Sequence, residues 1–164
     1  IGQGYVLTTP IQLAVMTARI ANGKDAVVPS LLSQPKGVNQ NCAPLDISES
    51  VLAVIRRGMS AVLYGVAGTA SGFKLSKKYG GMAGKTGTVQ VKRITLAQRE
   101  KGITQNIDRP WADRDHALFV GYAPLKNPRY AISVVVEHGG SGSSTAAPVA
   151  RDILAKTIAE RGLI

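Results

Sequence analysis

The chain passes through Gly80-Gly81-Met82-Ala83-Gly84-Lys85-Thr86-Gly87-Thr88-Val89-Gln90-Val91, a glycine-rich entry that runs into β-branched residues. A phosphate-binding loop would need a glycine, four residues, and then Gly-Lys-Ser/Thr opening a helix. Here Tyr79 stands where the first glycine is required, and Thr86 leads into Gly87 and a β-branched run. Nucleotide binding of that kind is excluded, and the composition predicts a strand over 85–91. Alternation along a strand places Lys85 and Gly87 on one face, with Thr86 and Thr88 on the other.

Working outward, His116 to Ala123 and Tyr130 to Glu137 are apolar runs joined by Pro124-Leu125-Lys126-Asn127-Pro128-Arg129, which predicts an antiparallel hairpin. Three helices are predicted around these strands. The first spans 9–21, with Thr9 as cap, Pro10 in the first turn, Gln12 three residues after the cap and Asn22-Gly23 at its end. Its Ala14, Val15, Ala18, Ile20 and Ala21 leave little polar face, so it is expected to be largely buried. The second spans 46–64, where Asp46-Ile47-Ser48-Glu49 repeats the capping pattern and Val51, Leu52, Ile55, Met59, Val62 and Leu63 recur at helical spacing. The third spans 145–161 with a stripe of Val149, Ile153, Leu154 and Ile158 and Gly162 as C-cap. Residues 94–115 carry alternating charges without a sustained period. They read as a long excursion with a short helix near Leu96 to Lys101, of a length that usually signals function or mobility. The fold class is α+β: three antiparallel strands at 85–91, 116–123 and 130–137 packed by helices.

The 164 residues are 45% hydrophobic and 18% charged, which excludes a wholly disordered chain. Twenty Lys and Arg against ten Asp and Glu give a formal charge of +10 and make anionic partners plausible. Cys42 alone cannot form an internal disulfide, and with only His116 and His138 beside it no structural metal site is expected. Apolar runs such as Ala131 to Val136 fall far short of the ~20 residues that span a bilayer. The chain opens on Ile1 with no basic stretch and following apolar run, so it is expected to be a piece of something longer.

Five segments occur in a telling order: Ile1-Gly2-Gln3-Gly4-Tyr5-Val6-Leu7-Thr8-Thr9-Pro10-Ile11-Gln12-Leu13-Ala14, Gly68-Thr69-Ala70, Gly84 to Val91, Phe119-Val120-Gly121-Tyr122-Ala123-Pro124, and Glu137-His138-Gly139-Gly140-Ser141-Gly142. In this the chain resembles the C-terminal part of the transpeptidase domain of class B penicillin-binding proteins, within a β-lactamase-like fold, and most closely the branch that serves cell elongation. The resemblance implies a serine D,D-transpeptidase that crosslinks peptidoglycan stem peptides through an acyl-enzyme and is acylated by β-lactam antibiotics. It implies no metal or organic cofactor. The implied partners are the missing N-terminal part of the same protein and a glycosyltransferase of the elongation machinery, at the periplasmic face of the inner membrane. Lys85, Thr86 and Gly87 match the family's third motif, with Lys85 as catalytic residue. Thr88 takes the position whose main-chain N–H contributes to the oxyanion hole. Gly139 and Gly140 are candidates for the floor of the substrate cleft. In the family two further strands pair with the final one, so the edge of 130–137 is expected to be open here and to invite self-association.

The family's other two motifs are not expected in these residues. Ser-x-Asn does not occur, and Ser-x-x-Lys occurs at Ser33 to Lys36 and Ser71 to Lys74. Pro35 and Gly37 oppose a helix at the first, and Gly68 and Gly72 oppose one at the second, whereas the motif needs its Ser and Lys one helical turn apart. His138 reads as a hydrogen-bonded structural residue rather than a base, because nothing here supplies the nucleophile it would activate. Lys74, Lys77, Lys78, Lys92, Arg93, Arg99, Lys101, Arg109 and Arg114 form loose basic clusters. With aromatic residues at 5%, a solvated surface fits better than a nucleic-acid groove. The alternative to the enzyme is a non-enzymatic basic module for an anionic polymer, with Lys85 in an ordinary strand.

Overall fold

The computed structural model describes residues 6–32, 42–100, 102 and 104–161. The opening Gly-Gln-Gly-Tyr segment, the Ser33 to Lys36 stretch and the Gly162 cap lie outside them. A three-stranded antiparallel sheet in the order β1-β2-β3 forms the centre, from β1 (Ala83–Val89), β2 (His116–Ala123) and β3 (Tyr130–Val136). The helices are α1 (Pro10–Asn22), α2 (Glu49–Tyr64), the short α3 (Leu96–Glu100) and α4 (Ala147–Arg161). No helix among the described residues is long and apolar enough to cross a membrane.

Local chemistry accounts for α1. Gln12 N donates to Thr9 Oγ1 at 3.3 Å and Thr9 N donates to Gln12 Oε1 at 2.8 Å, a reciprocal cap. Gly23, at φ +72°, closes the other end with its N–H on the Arg19 carbonyl at 2.8 Å. The expectation of a largely buried helix fails. Only Thr17 and Ala21 are buried, while Ile11 and Met16 are 58% and 45% exposed, because β2, β3 and α2 cover a single side of it.

The second helix begins at Glu49 with Ser48 as N-cap, later than the predicted 46. Ala26 N donates to the Ala43 carbonyl and Leu45 N to that of Lys24, so the chain stays tied to residues 24–26 before it can turn into a helix. The first strand is likewise displaced, running 83–89 rather than 85–91. Its ladder pairs Ala83 with Tyr122 and Val89 with His116, and it stops where β2 begins. Strand β3 ends at Val136, one residue before the expected limit.

Strand parity sorts the core. Phe119, Ala117 and Ala123 share one face with Val134 of β3 and pack with Ala147, Ala150, Leu154 and Ile158 of α4. Tyr122, of opposite parity, packs with Ala21 of α1 and Met59 of α2. Burial pushes the Tyr122 phenol above its usual pKa, and the nearby Arg56 guanidinium opposes this. The last helix departs from the expected stripe: Leu154 and Ile158 are buried, but Val149 and Ile153 are 41% and 48% exposed. Ala146, Ala147 and Ala150, each fully buried, do the packing instead, since small side chains let the helix approach the sheet closely. A π-turn at Gly142–Ala146 precedes α4, where the sequence predicts regular helix from 145.

This arrangement predicts that Leu154→Ala costs about 2–5 kcal/mol of stability, whereas Ile153→Ala changes it by less than ~1 kcal/mol. Urea denaturation of the two variants is the check. Equal losses would contradict the placement of α4.

Candidate functional site

Lys85, Thr86, Gly87 and Thr88 lie along β1, which stands at one edge of the sheet. Two positions fix the strand against its neighbour. Gly84 lies opposite Gly121, and a Cβ added at Gly84 would stand 2.2 Å from Phe119 Cζ and 2.5 Å from the Val120 carbonyl oxygen, a space only glycine fits. Immediately after this clamp, Lys85 is exposed and its Nζ donates to the Thr86 carbonyl at 2.7 Å. The Thr86 hydroxyl is half-buried and lies 3.0 Å from Thr69 Oγ1.

Thr69 belongs to the Gly68-Thr69-Ala70 segment, which the turn after α2 carries to the strand. Ala70 N donates to the Val62 carbonyl at 3.0 Å, and a Cβ at Gly68 would meet that same oxygen at 2.5 Å. The tight turn therefore requires glycine and delivers a hydroxyl pair at Thr69 and Thr86. Such a pair is suited to hydrogen-bond an anionic group. The sequence pointed to the segment without giving Thr69 a place in the site.

Gly139 and Gly140 lie in the loop that follows β3. Gly140 has φ +81°, donates its N–H to the Asp115 carbonyl at 2.8 Å, and would meet Asn106 Nδ2 at 2.8 Å if it carried a Cβ. A Cβ at Gly139 would press on Val136 at 2.7 Å. The glycine that reaches the motif strand is Gly142, which sequence reasoning passed over. It is buried, and a Cβ there would come 2.3 Å from the carbonyl oxygens of both Gly87 and Leu118. Gly87 and Leu118 are register partners, so Gly142 seats directly on the β1–β2 pair at the third residue of the motif. The Gly-Ser-Gly run was the available signal, since a glycine there leaves room for main chain to touch main chain.

His138 is held as a structural residue. Its Nδ1 lies 3.0 Å from the Arg114 carbonyl, which only accepts, so Nδ1 carries a proton. Its own N–H donates to His116 Nδ1 at 2.8 Å, and its ring centroid lies 4.2 Å from that of Trp111. Ser71 opens a single 3₁₀ turn, Ser71–Phe73, and Lys74 caps its end with its Nζ 5.8 Å from the centroid of the Tyr64 ring. Lys92 pairs with Asp113 at 2.6 Å, while Arg109 and Arg114 turn inward to backbone carbonyls, so part of the basic cluster is structural. Among the described residues no group of three or more His, Cys, Asp or Glu is placed to hold a metal ion.

Comparisons with known proteins identify the family. Residues 1–155 match the family model for the penicillin binding protein transpeptidase domain. The chain is 35% identical over 162 residues to the peptidoglycan D,D-transpeptidase MrdA of Haemophilus influenzae, covering 94% of this chain and 24% of that protein. Among solved structures, Pseudomonas aeruginosa PBP2 in complex with WCK 5153 superposes with a TM-score of 0.72 at 35% identity, over 96% of this chain and 32% of that one. PBP2 in its complex with MreC from Helicobacter pylori gives a TM-score of 0.68 at 30% identity, over 100% of this chain and 27% of that one. The chain thus spans about a quarter of the length of the curated relative it matches. By that match the chain belongs to the penicillin binding protein transpeptidase domain family.

Proposed function

We propose that this chain supplies the Lys-Thr-Gly side of a serine D,D-transpeptidase site that crosslinks peptidoglycan stem peptides and is acylated by β-lactams. The observation that carries the proposal is the edge strand on which exposed Lys85 directly precedes Thr86, whose hydroxyl lies 3.0 Å from that of Thr69. In this reading the nucleophilic serine comes from residues of the parent protein beyond this sequence. Its oxygen attacks the carbonyl carbon of the penultimate D-Ala of a stem peptide while its proton passes to a neighbouring base. The terminal D-Ala leaves with a proton, and an amine of a second stem then displaces the serine.

Lys85 supplies positive potential where negative charge develops and the substrate carboxylate sits. Thr86, backed by Thr69, hydrogen-bonds that carboxylate. Gly87 leaves room for the substrate backbone to lie along β1. Thr88 acts through its main-chain N–H on the oxyanion. Gly139 and Gly140 serve the site indirectly, by shaping the loop that ends at Gly142. The complex that the Helicobacter pylori relative forms with MreC supports an MreC-like partner for the parent, within an elongation assembly that includes a glycosyltransferase, at the periplasmic face of the inner membrane. The 164-residue chain by itself is proposed to self-associate through the β3 edge, since β3 pairs with β2 alone among the described strands.

In the full-length protein Lys85→Ala is expected to slow acylation by a fluorescent penicillin about a hundredfold, equivalent to about 3 kcal/mol. Thr88→Ala slows it much less, because the main-chain N–H remains. Equal, near-wild-type rates would overturn the site, and salt-sensitive capture of an anionic polymer without acylation would favour the basic-module alternative. Intact-mass measurement of the isolated chain after incubation with the same penicillin should show no adduct. A stoichiometric adduct on Ser71 or Ser33 would refute an external nucleophile.

A further inference from the structure

We propose that Asp115, with Arg109 and Asn106, is a positioning residue that latches the 137–142 loop so that Gly142 stays seated on the Lys-Thr-Gly strand. The inference rests on the site reading above and assigns a role to the 94–115 excursion. Asp115 is the one charged residue among the buried residues described, at 8% exposure. A buried carboxylate is costly unless it is paired, and Arg109 Nη1 meets its Oδ1 at 3.2 Å, with the two side chains 14% and 12% exposed. Arg109 turns its Nε and Nη2 to the Thr104 carbonyl, both at 3.2 Å, which anchors the pair within the excursion.

The main chain of Asp115 is held at both ends. Its N–H donates to Asn106 Oδ1 at 2.9 Å, and its carbonyl accepts from Gly140 N–H at 2.8 Å. Gly140 and His138 both sit in the left-handed region, at φ +81° and +55°, which is costly for a residue with a Cβ such as His138. Each is tied to the same 106–116 block, Gly140 to Asp115 and His138 to Arg114 and His116. Thr145 Oγ1 donates to the Gly139 carbonyl at 2.8 Å, closing the loop from its far side. Gly142 comes two residues after Gly140 and contacts Gly87 across the strand pair. Loosening Asp115 therefore frees the loop whose next contact is the motif itself. A displacement on the order of 1 Å in a positioning element can cost up to about a hundredfold in rate.

The test uses the full-length protein with three variants: Asn106→Ala, Asp115→Asn and, as a marker of the site itself, Lys85→Ala. The readouts are the acylation rate constant with a fluorescent penicillin, the thermal midpoint, and hydrogen exchange at the Gly140 amide. The proposal expects Asn106→Ala and Asp115→Asn each to slow acylation about tenfold and to speed Gly140 exchange, with the folded fraction at the assay temperature unchanged. Acylation within twofold of wild type in both variants, with Lys85→Ala impaired, would overturn the latch and leave the site standing. Near-wild-type acylation in all three would overturn the site reading and the latch with it. A fall in acylation that only tracks loss of folded protein would assign Asp115 a purely structural role and overturn the proposal.

Discussion

Phe119 lies across two glycines that face each other on adjacent strands, and this contact pins the motif strand to its neighbour. Gly84 and Gly121 are register partners, and a Cβ on either would strike the Phe119 ring, at 2.2 Å and 2.7 Å. The ring fills the space these residues leave open and is fully buried in doing so. A single aromatic thus covers a stretch of exposed sheet backbone that would otherwise be poorly packed. Because Gly84 directly precedes Lys85, the clamp also sets the register of the motif residues against β2.

Two other close approaches then define the site from either side. On one, the turn after α2 presses Gly68 onto the Val62 carbonyl and sets Thr69 against Thr86. On the other, Gly142 rests on the Gly87–Leu118 pair at the start of the π-turn that leads into α4. Neither contact is strong in isolation. Their value lies in tying β1 to two helices, to α2 through the Thr69–Thr86 hydroxyl pair and to α4 through main chain seated on main chain at Gly142. A site that works by presenting a lysine, a hydroxyl pair and main-chain N–H groups needs that rigidity, because electrostatic stabilisation of developing charge depends on donors already in place.

Much of this was legible in the sequence wherever local chemistry decides. Thr9, Pro10, Gln12 and Gly23 specify both ends of α1, and the two apolar runs around Pro124 to Arg129 specify the β2–β3 hairpin. The limits of β1 were not legible, because a strand ends where its partner does and β2 starts only at His116, opposite Val89. The buried stripe of α4 was missed for a different reason. Val149 and Ile153 carry the stronger hydrophobic signal, yet the close helix-to-sheet approach selects Ala147 and Ala150. Residues 104–115 showed no period because arginine side chains bonded to carbonyls hold them, Arg109 to Thr104 and Arg114 to Ile107 and Arg109. In the site, the motif strand was legible by composition and order, while Gly142 showed only as part of a Gly-Ser-Gly run, since its closeness to Gly87 exists only after the chain has folded.

The central claim is that the open edge of β1 is the surface along which an acylating substrate lies. A crystal structure of the full-length protein acylated by a β-lactam tests it most directly. The ligand is expected to lie alongside β1, its carboxylate hydrogen-bonded to the Thr86 hydroxyl near Lys85 Nζ, and its former lactam carbonyl oxygen on the Thr88 N–H. An acyl group bound elsewhere, with Lys85, Thr86 and Thr88 all out of contact with the ligand, would contradict it.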